Sequence, residues 1–385
     1  MRPRPSPPAA RPSTDTNRTL GAVTVIALGM PSGLSAQKPV LRDAAMPTSG
    51  PMVDTFGRAV RDLRVSVTDR CNLRCTYCMP AEGLDWLARD KVLTAEEIVR
   101  AVSIGVRHLG VEAVRFTGGE PLLRKDLPDI IEAVAALDPR PEIALTTNGL
   151  GLKHQAKRLA DAGLNRVNVS LDTVDAARFA AITRRDRLPD VLAGLEAAAT
   201  AGLFPVKVNA VLDTEHGLDD AAALLRMCLD RGYELRIIEQ MPLDAEHHWS
   251  RTTMITADQI LERLQREFDL RPDAAPRGAA PAQRWTVEGY LGADGKPARV
   301  GVIASVTRPF CGDCDRTRLT ADGQLRNCLF ATDETDLADL LKSTSSSDEE
   351  IALRWRESTW GKLPGHGVNE PGFLQPSRPM SAIGG

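Results

Sequence analysis

Short apolar runs alternate with stretches of helical spacing from about residue 63 to residue 240. Runs rich in β-branched and aliphatic residues predict strands, and apolar residues spaced three and four positions apart predict helices between them. The predicted strands are residues 63–68, 113–117, 143–147, 166–171, 206–212 and 235–239, and the predicted helices are residues 94–109, 126–137, 152–162, 188–201 and 218–231. Thr94 followed by Glu97 predicts a capping box at the start of the first helix.

The order of these elements predicts an α/β fold. Near-continuously apolar strands separated by one helix each indicate βαβ units and a parallel sheet. Because no Gly-x-Gly-x-x-Gly follows a strand, we expect a partial (β/α)6 TIM-like barrel rather than a dinucleotide-binding sheet. In such barrels the chemistry lies at the C-terminal ends of the strands. Since the alternation fades near residue 242, we expect residues 54–242 to form the barrel and residues 243–385 a C-terminal region.

The first 50 residues differ from the rest of the chain. They hold 8 of the 26 prolines and six basic residues against two acidic ones. This composition predicts a disordered N-terminal arm over residues 1–53, with Met46 or Met52 as alternative start sites. The alternative is an export or organelle signal, because a basic residue precedes the apolar residues 20–28 and the small residues 34–36.

Composition and charge exclude several classes of protein. The 385 residues are 26% charged and 43% hydrophobic, as in a folded globular protein. No apolar run reaches the roughly 18–20 residues of a membrane span. The net charge of −3, from 48 basic and 51 acidic residues, gives no reason to expect nucleic-acid binding. Seven cysteines are too few for a disulfide scaffold in a chain of this length.

Three cysteines follow the first predicted strand with C-x3-C-x2-C spacing. This first trio consists of Cys71, Cys75 and Cys78. Soft thiolate ligands favour zinc or an iron–sulfur cluster. A structural zinc site needs four closed ligands, whereas three cysteines leave one iron of a [4Fe–4S] cluster open to a further ligand.

A second group of three cysteines comes late in the chain, with C-x2-C-x13-C spacing. This second trio consists of Cys311, Cys314 and Cys328. A zinc site completed by His247 or His248 is the alternative to a second cluster, and Cys228 is expected to be a buried structural cysteine. Arg316 and Arg318 suit an anion or a purine edge, or else a solvated loop.

Three cationic residues occupy predicted strands, where a charge is unfavourable unless it is paired. They are Arg64, Arg115 and Lys207. Three such cations pointing into a barrel predict a polyanionic ligand at its mouth.

The first trio, with an aromatic residue before its last cysteine, resembles the radical S-adenosylmethionine (SAM) superfamily. Residues 117–121, Thr-Gly-Gly-Glu-Pro, match the motif that contacts the amino group of SAM in that superfamily. Both trios together, the Arg-Thr-Arg run and the terminal Gly384-Gly385 resemble the GTP 3′,8-cyclase family of molybdenum cofactor biosynthesis. The resemblance covers about residues 54–385 and is absent from the N-terminal arm.

The resemblance implies two [4Fe–4S] clusters, one on each trio, with SAM on the first. It implies SAM contacts from Tyr77, Gly119, Ser170 and Met241. It implies GTP contacts from Arg64, Arg115, Thr146, Lys207, Arg316, Thr317 and Arg318, and direct participation in catalysis by Arg316, Arg318, Gly384 and Gly385.

The implied reaction is that of a lyase. A 5′-deoxyadenosyl radical abstracts hydrogen from C3′ of GTP, and the carbon radical attacks C8, giving (8S)-3′,8-cyclo-7,8-dihydroguanosine 5′-triphosphate. The implied partners are a reductant such as flavodoxin or ferredoxin and, for the product, cyclic pyranopterin monophosphate synthase. We expect a cytoplasmic monomer or homodimer. The alternatives are a radical SAM peptide-modifying maturase with an auxiliary cluster and a zinc-stabilised binding module.

Overall fold

A single curved sheet with helices on its outer face forms the framework of the protein. The computed structural model describes residues 44–384, so Gly385 and most of the expected N-terminal arm lie outside the described residues. The strands are β1 (Asp62–Ser66), β2 (Ala113–Thr117), β3 (Glu142–Thr147), β4 (Arg166–Ser170), β5 (Lys207–Val211), β6 (Glu234–Ile238), β7 (Leu270–Pro272), β8 (Gln283–Leu291), β9 (Pro297–Ile303), β10 (Arg316–Leu319), β11 (Gln324–Arg326) and β12 (Thr335–Asp336).

Most helices cross between these strands or follow them. They are α1 (Ala95–Leu109), α2 (Leu127–Ala135), α3 (Leu152–Asp161), α4 (Ala176–Thr183), α5 (Leu188–Thr200), α6 (Gly217–Arg231), α7 (Ala257–Gln265), α8 (Ala338–Lys342), α9 (Asp348–Trp360) and α10 (Met380–Ile383). The capping box of α1 is confirmed, since the amide of Glu97 donates to the Thr94 hydroxyl and the amide of Thr94 donates to the Glu97 carboxylate.

The six predicted strands are confirmed and lie side by side in the parallel order β1 to β6. Two strands from the later part of the chain extend this sheet: β10 pairs in parallel with β1, and β9 pairs in parallel with β6. Antiparallel strands continue beyond both, β11 and β12 on one side and β8 and β7 on the other. Eight parallel strands therefore run from β10 to β9, with the second trio carried beside β10.

The two faces of the sheet differ in polarity, contrary to the expectation of near-continuously apolar strands. Leu63 and Val65 of β1 are buried on the helical side, as are Val114 and Phe116 of β2. The alternate residues of the same strands face the inside of the curve and are largely polar or charged. Because successive side chains of a strand point to opposite faces, one face builds the core and the other builds a polar interior.

Two regions depart from the sequence-based outline. Helix α4 was not predicted, because its eight residues are too few to give a clear helical period. Met52, assigned to the N-terminal arm, is 1% exposed, and its amide donates to the carbonyl of Leu109 at the end of α1. Among residues 44–384, no helix is long and apolar enough to cross a bilayer.

Candidate active site

The concave face of the sheet encloses a cavity of about 310 Å³, a volume in the range of small-molecule sites. Both cysteine trios line it. Of the site residues expected from the sequence, those lining the cavity are Arg64, Cys71, Cys75, Tyr77, Cys78, Arg115, Gly119, Thr146, Ser170, Met241, Cys311, Cys314, Arg316, Arg318 and Cys328. The fold therefore brings both trios and most of the expected SAM and GTP contacts to one cavity.

The first trio lies in the loop that follows β1. Its cysteines are free thiols, and the amides of Cys78 and Met79 both turn back to the carbonyl of Cys75. Burial raises the pKa of all three thiols. The backbone amide of Leu73 and the neutral side-chain amide of Asn148, 3.8 Å away, are donors to the sulfur of Cys71. A bound metal cation would offset the cost of burying these cysteines as thiolates.

The Gly-Gly-Glu run after β2 packs directly on the start of the first-trio loop. A Cβ at Gly119 would lie 2.3 Å from the carbonyl oxygen of Arg70 and 2.4 Å from that of Asp69, so only glycine fits. Glu120 is fully buried and accepts hydrogen bonds from the amide of Asn148 and the hydroxyl of Thr147. Burial raises its pKa to about 7. This carboxylate ties the end of β2 to the end of β3.

A second buried carboxylate stands on the other side of the first trio. The hydroxyl of Tyr77 donates to Asp172 at 2.7 Å, and the amide of Val211 donates to the same carboxylate at 2.9 Å. Burial raises the pKa of Asp172 to about 6, against the effect of these two donors. Tyr77 therefore has a structural partner in addition to its place on the cavity wall.

The second trio has cationic neighbours instead. Cys314 lies just before β10, and its pKa is lowered to about 6 because Arg316 and Lys362 together outweigh the opposing effect of burial. The ammonium of Lys362 lies 3.3 Å from the sulfur of Cys314. Arg316 also has its guanidinium over the ring of Phe310, 5.0 Å from the centroid. Lys362 was not identified from the sequence, where it is an isolated basic residue without a motif.

The residues after α9 wrap around the second trio. Arg58 is buried in an ion pair with Asp54 and donates to the carbonyl of Cys311 at 2.8 Å, to that of Pro364 at 2.9 Å and to that of Leu363 at 2.6 Å. The Arg58 side chain therefore connects the segment before β1 to the second-trio loop and to residues 363–364, which follow α9. Sequence analysis missed it because its partners are 253 and 306 residues away.

Neither trio forms a site for a single metal ion. Over residues 44–384, no three His, Cys, Asp or Glu side chains converge as a mononuclear site requires. His247 and His248 are exposed and do not line the cavity, so the zinc alternative lacks its fourth ligand. A four-iron cluster binds each cysteine to a different iron and does not need the sulfurs to converge on one point. Cys228 is buried on α6 as expected.

Arginines with unused donors line the middle of the cavity. The Nε atoms of Arg64 and Arg115 are buried without a hydrogen-bond partner, and burial lowers the pKa of both side chains, that of Arg115 to about 10. Arg115 forms only a long ion pair with Asp62, with 3.7 Å between Nη2 and the carboxylate. Arg236 of β6 also lines the cavity and was missed, although it occupies the inward position next to Asn209 of β5. Its Nε donates to Glu234 at 3.0 Å, so the unused donors for a bound anion are those of Arg64 and Arg115.

Two expected GTP contacts do not line the cavity. Thr317 lies between Arg316 and Arg318 on β10, so its side chain points outward, where its hydroxyl accepts a hydrogen bond from the indole of Trp355 at 3.2 Å. The expected GTP contact of Thr317 therefore stays a prediction that the direction of its side chain does not support. Lys207 is on the inward face of β5, two residues before Asn209, which lines the cavity. Its ammonium lies one layer of side chains further from the cavity, with Nζ 3.9 Å from the carboxylate of Glu234.

The C-terminal tail reaches the strand ends next to the first trio. Ile383 is buried against Leu243 and Phe330, and its carbonyl accepts a hydrogen bond from Ser66 at 2.9 Å. The carbonyl of Gly384 accepts a hydrogen bond from Arg318. A Cβ at Gly384 would lie 2.3 Å from the Ser66 hydroxyl, and its φ of 81° also favours glycine.

Comparison with protein families gives two matches that follow one another along the chain. Residues 65–228 match the Radical SAM superfamily, and residues 233–368 match Molybdenum Cofactor Synthesis C. Curated relatives named GTP 3′,8-cyclase are 62% identical in Mycobacterium sp. (strain KMS) and 61% identical in Mycolicibacterium smegmatis, in each case over 94% of this chain and 100% of the relative. A relative from Mycobacterium tuberculosis named GTP 3′,8-cyclase 2 is 58% identical over the same shares.

Solved structures share the fold at low identity. Streptococcus suis SuiB bound to its precursor peptide SuiA superimposes with a TM-score of 0.54 at 14% identity, over 80% of this chain and 66% of that one. SuiB bound to S-adenosylmethionine gives a TM-score of 0.51 at 14% identity, over 75% of this chain and 65% of that one. These similarities establish the α/β radical SAM fold.

Proposed function

The chain belongs to the GTP 3′,8-cyclase family of radical SAM enzymes, and from this premise we propose that its cavity converts GTP to (8S)-3′,8-cyclo-7,8-dihydroguanosine 5′-triphosphate. The observation that supports this activity is the presence of two cysteine trios in one cavity, together with buried arginine donors that lack a hydrogen-bond partner in the described protein, the Nε atoms of Arg64 and Arg115. Such a cavity offers two metal centres and a polyanion site at once. A binding module stabilised by zinc needs neither arrangement.

The two trios would each hold a [4Fe–4S] cluster by three thiolates. When bound, the first cluster and SAM supply a 5′-deoxyadenosyl radical. Tyr77, Gly119, Ser170 and Met241 lie on the cavity wall around the first trio and would contact SAM. Gly119 would let SAM approach the backbone closely, and the Tyr77–Asp172 hydrogen bond would hold the tyrosine ring in place.

The cationic part of the cavity would bind GTP. Arg64, Arg115 and Arg236 would offer donors to the triphosphate, and Thr146 of β3 lines the same cavity. Lys207, one residue layer further from the cavity on β5, would act through its charge. Arg316 and Arg318, which interact with Cys314 through their charges, would hold the guanine end beside the second cluster.

The tail would complete the site. Gly384 is fixed between Arg318 and the ends of β1 and β2. A tail held at this place would help to exclude water from a radical intermediate. We propose that Gly384 and Gly385 take part in catalysis in this way.

Two other enzyme properties follow as proposals. A low-potential donor such as flavodoxin or ferredoxin would supply the electron, and cyclic pyranopterin monophosphate synthase would take the product, both in the cytoplasm. The peptide-maturase alternative is disfavoured because only three cysteines follow residue 300, too few to ligate an auxiliary cluster completely. The curated relatives named GTP 3′,8-cyclase, which match 94% of this chain over their whole length, also count against it.

Anaerobic incubation of the cluster-loaded protein with GTP, SAM and dithionite tests the activity. We expect 5′-deoxyadenosine and the cyclised nucleotide in about equal amounts by mass analysis. 5′-Deoxyadenosine without any cyclised nucleotide would contradict the proposal. Iron and zinc contents measured on the same sample identify the metal centres, with about eight irons per chain expected for two [4Fe–4S] clusters.

A further inference from the structure

The proposed function leaves the buried ammonium of Lys362 unexplained. This side chain is 4% exposed, and its Nζ lies 2.8 Å from the carbonyl oxygen of Arg316, 3.4 Å from that of Cys314 and 3.3 Å from the Cys314 sulfur. In the part of the chain that the structure describes, no carboxylate forms an ion pair with it. A buried ammonium is strongly unfavourable without an anion. The carboxylate of Asp315 lies near enough to interact with Lys362 through its charge, but the sulfur of Cys314 is the potentially anionic group in direct contact with the ammonium.

The fold holds Lys362 rigidly in this place. Helix α9 packs on the outer face of β10, where the indole of Trp355 donates to Thr317 at 3.2 Å. The helix ends at Trp360, and the amide of Lys362 returns to the carbonyl of Thr359. The lysine therefore comes from the C-terminal end of a helix, which itself favours a cation. Its position depends on core packing and not on a mobile loop.

We propose that Lys362 is a positioning residue that hydrogen-bonds the Cys314 sulfur and raises the reduction potential of the second cluster. The proposal rests on the proposed function in assigning a four-iron cluster to the second trio. Net charge and hydrogen bonds to the sulfurs are the principal controls of cluster potential. Reduction adds negative charge, so a fixed cation next to a ligand sulfur stabilises the reduced form more than the oxidised form.

The first trio is a comparison within the same protein, because no lysine of the described residues lies next to its cysteine sulfurs. The donors that face its sulfurs are neutral, the amide of Asn148 near Cys71 and the hydroxyl of Tyr77 near Cys75. The nearby arginines Arg74 and Arg184 donate to backbone carbonyls of the loop instead. Asn148 and Tyr77 each also donate to a buried carboxylate, Asn148 through its backbone amide to Glu120 and Tyr77 through its hydroxyl to Asp172. A buried ammonium therefore contacts a sulfur at the second trio, whereas neutral donors face the sulfurs of the first, and Lys362 should make the second cluster the more easily reduced.

The test is a redox titration of the full-length protein followed by electron paramagnetic resonance. A background with Cys71, Cys75 and Cys78 changed to Ala isolates the signal of the second cluster. In Lys362→Met we expect the reduction equilibrium to shift about tenfold toward the oxidised cluster, a midpoint about 59 mV lower for a one-electron couple. Lys362→Arg keeps the charge and should stay near the wild-type midpoint. Lys342→Met, at an exposed lysine, is the matched control.

An unchanged midpoint in Lys362→Met with the cluster loaded would overturn the proposal. If the Met variant fails to take up iron, Lys362→Gln is measured, because it keeps a donor and removes the charge; a lower midpoint supports the proposal and a wild-type midpoint overturns it. The readout is independent of turnover. Wild-type protein that holds two clusters but forms no cyclised nucleotide would contradict the proposed function alone, whereas a second trio without iron would contradict both.

Discussion

The two ends of the cavity bury different charged side chains beside similar sets of cysteine ligands, although Arg74 and Arg184 also donate to the backbone of the first-trio loop. At the first trio the buried neighbours are carboxylates, Glu120 with a pKa raised to about 7 by burial and Asp172 with a pKa raised to about 6. At the second trio they are cations, Arg316 and Lys362, which lower the pKa of Cys314 to about 6 against the effect of burial. The spacing of cysteines alone does not reveal this difference.

The contrast explains how one cavity can use two similar metal centres for different functions. Buried carboxylates near the first trio would keep its cluster at a low reduction potential, which suits the transfer of an electron to SAM. A cationic setting attracts and orients an anionic substrate and stabilises added charge. We call the part of the cavity at the first trio the SAM end, and the part at the second trio and the arginines the GTP end. We infer that the side chains around the cysteines, rather than the cysteines themselves, distinguish these two ends.

Cysteine substitutions give the largest expected effects and test the division directly. Cys71→Ala should abolish SAM cleavage and cyclisation together, because SAM needs the first cluster. Cys314→Ala should abolish cyclisation while reductive cleavage of SAM to 5′-deoxyadenosine continues. Both products are measured by mass analysis after anaerobic incubation. Cys228→Ala, in the buried face of α6, is the control and should leave both activities nearly unchanged.

Full cyclisation by Cys314→Ala would show that the second trio has no role in the chemistry. Loss of SAM cleavage in the same variant would show that the two ends are not independent. Either result would contradict the division of the cavity into a SAM end and a GTP end.

The tail should give the next largest effect, because Gly384 lies where the two ends meet. In Gly384→Ala the new Cβ would lie 2.3 Å from the Ser66 hydroxyl and 2.7 Å from the Thr117 methyl. Displacing the tail by about 1 Å should lower cyclisation roughly 100-fold, with both clusters loaded and an almost unchanged melting temperature. Gly372→Ala is the matched control, since its φ of 87° is similar and no atom lies within 4 Å of the new Cβ. Equal losses in both variants would point to backbone strain alone.

Sequence reasoning predicted the local elements well and the long-range pairings poorly. The six strands and Thr94 at the cap of α1 follow from patterns within a few residues. The pairing of β10 with β1 depends on contacts more than 240 residues apart, which no local pattern encodes. For this reason the sequence did not show that the C-terminal region extends the barrel sheet.

The same limit applies to the site. Both trios and the inward arginines Arg64 and Arg115 were predicted from spacing and from charge on a strand. Lys362 and Arg58 were missed because each acts on a cysteine loop distant in sequence, and an isolated basic residue is usually solvated. The sequence also grouped Thr317 with Arg316 and Arg318, although the alternation of β10 turns its side chain to the opposite face. The two-residue period of a strand would have separated the threonine from the arginines.

Removing one cation from the cavity should weaken GTP binding without affecting the SAM end. Arg64→Met removes a buried guanidinium whose Nε has no partner in the described protein. Loss of a charge-assisted contact costs about 1.5–3 kcal/mol, so the Kd for GTP should rise roughly 10–150-fold. Calorimetry on cluster-loaded protein measures it. The control is Arg61→Met, at an exposed arginine three residues earlier in the chain. The affinity for SAM should stay within about twofold of wild type in both variants. A parallel loss of SAM affinity would contradict separate ends.

The smallest effect concerns protons, and it follows from the position of Lys207 below the GTP end. Burial, and next the charge of Arg236, lower its pKa to about 7, and repulsion from Arg166 and Arg115 lowers it further. The carboxylate of Glu234, 3.9 Å from Nζ, opposes this lowering. In the free protein this lysine is therefore mostly neutral at pH 8.5. A bound triphosphate raises its pKa, so binding takes up a proton, and GTP affinity should fall as pH rises above 7, by at most about tenfold per pH unit.

Calorimetry of GTP binding at pH 8.5, in two buffers with different ionisation enthalpies, counts the protons taken up. The count should approach one in the wild type and come from the protein, because phosphate groups have their second pKa near 6 and are already deprotonated. Lys207→Arg carries a group that keeps its charge at this pH, so its uptake should fall toward zero and its affinity should vary less with pH. SAM binding should take up no proton in either protein, since the carboxylates at the first trio titrate at lower pH. Equal proton uptake by wild type and Lys207→Arg would show that Lys207 does not sense the triphosphate, and the cationic character of the GTP end would then rest on its arginines alone.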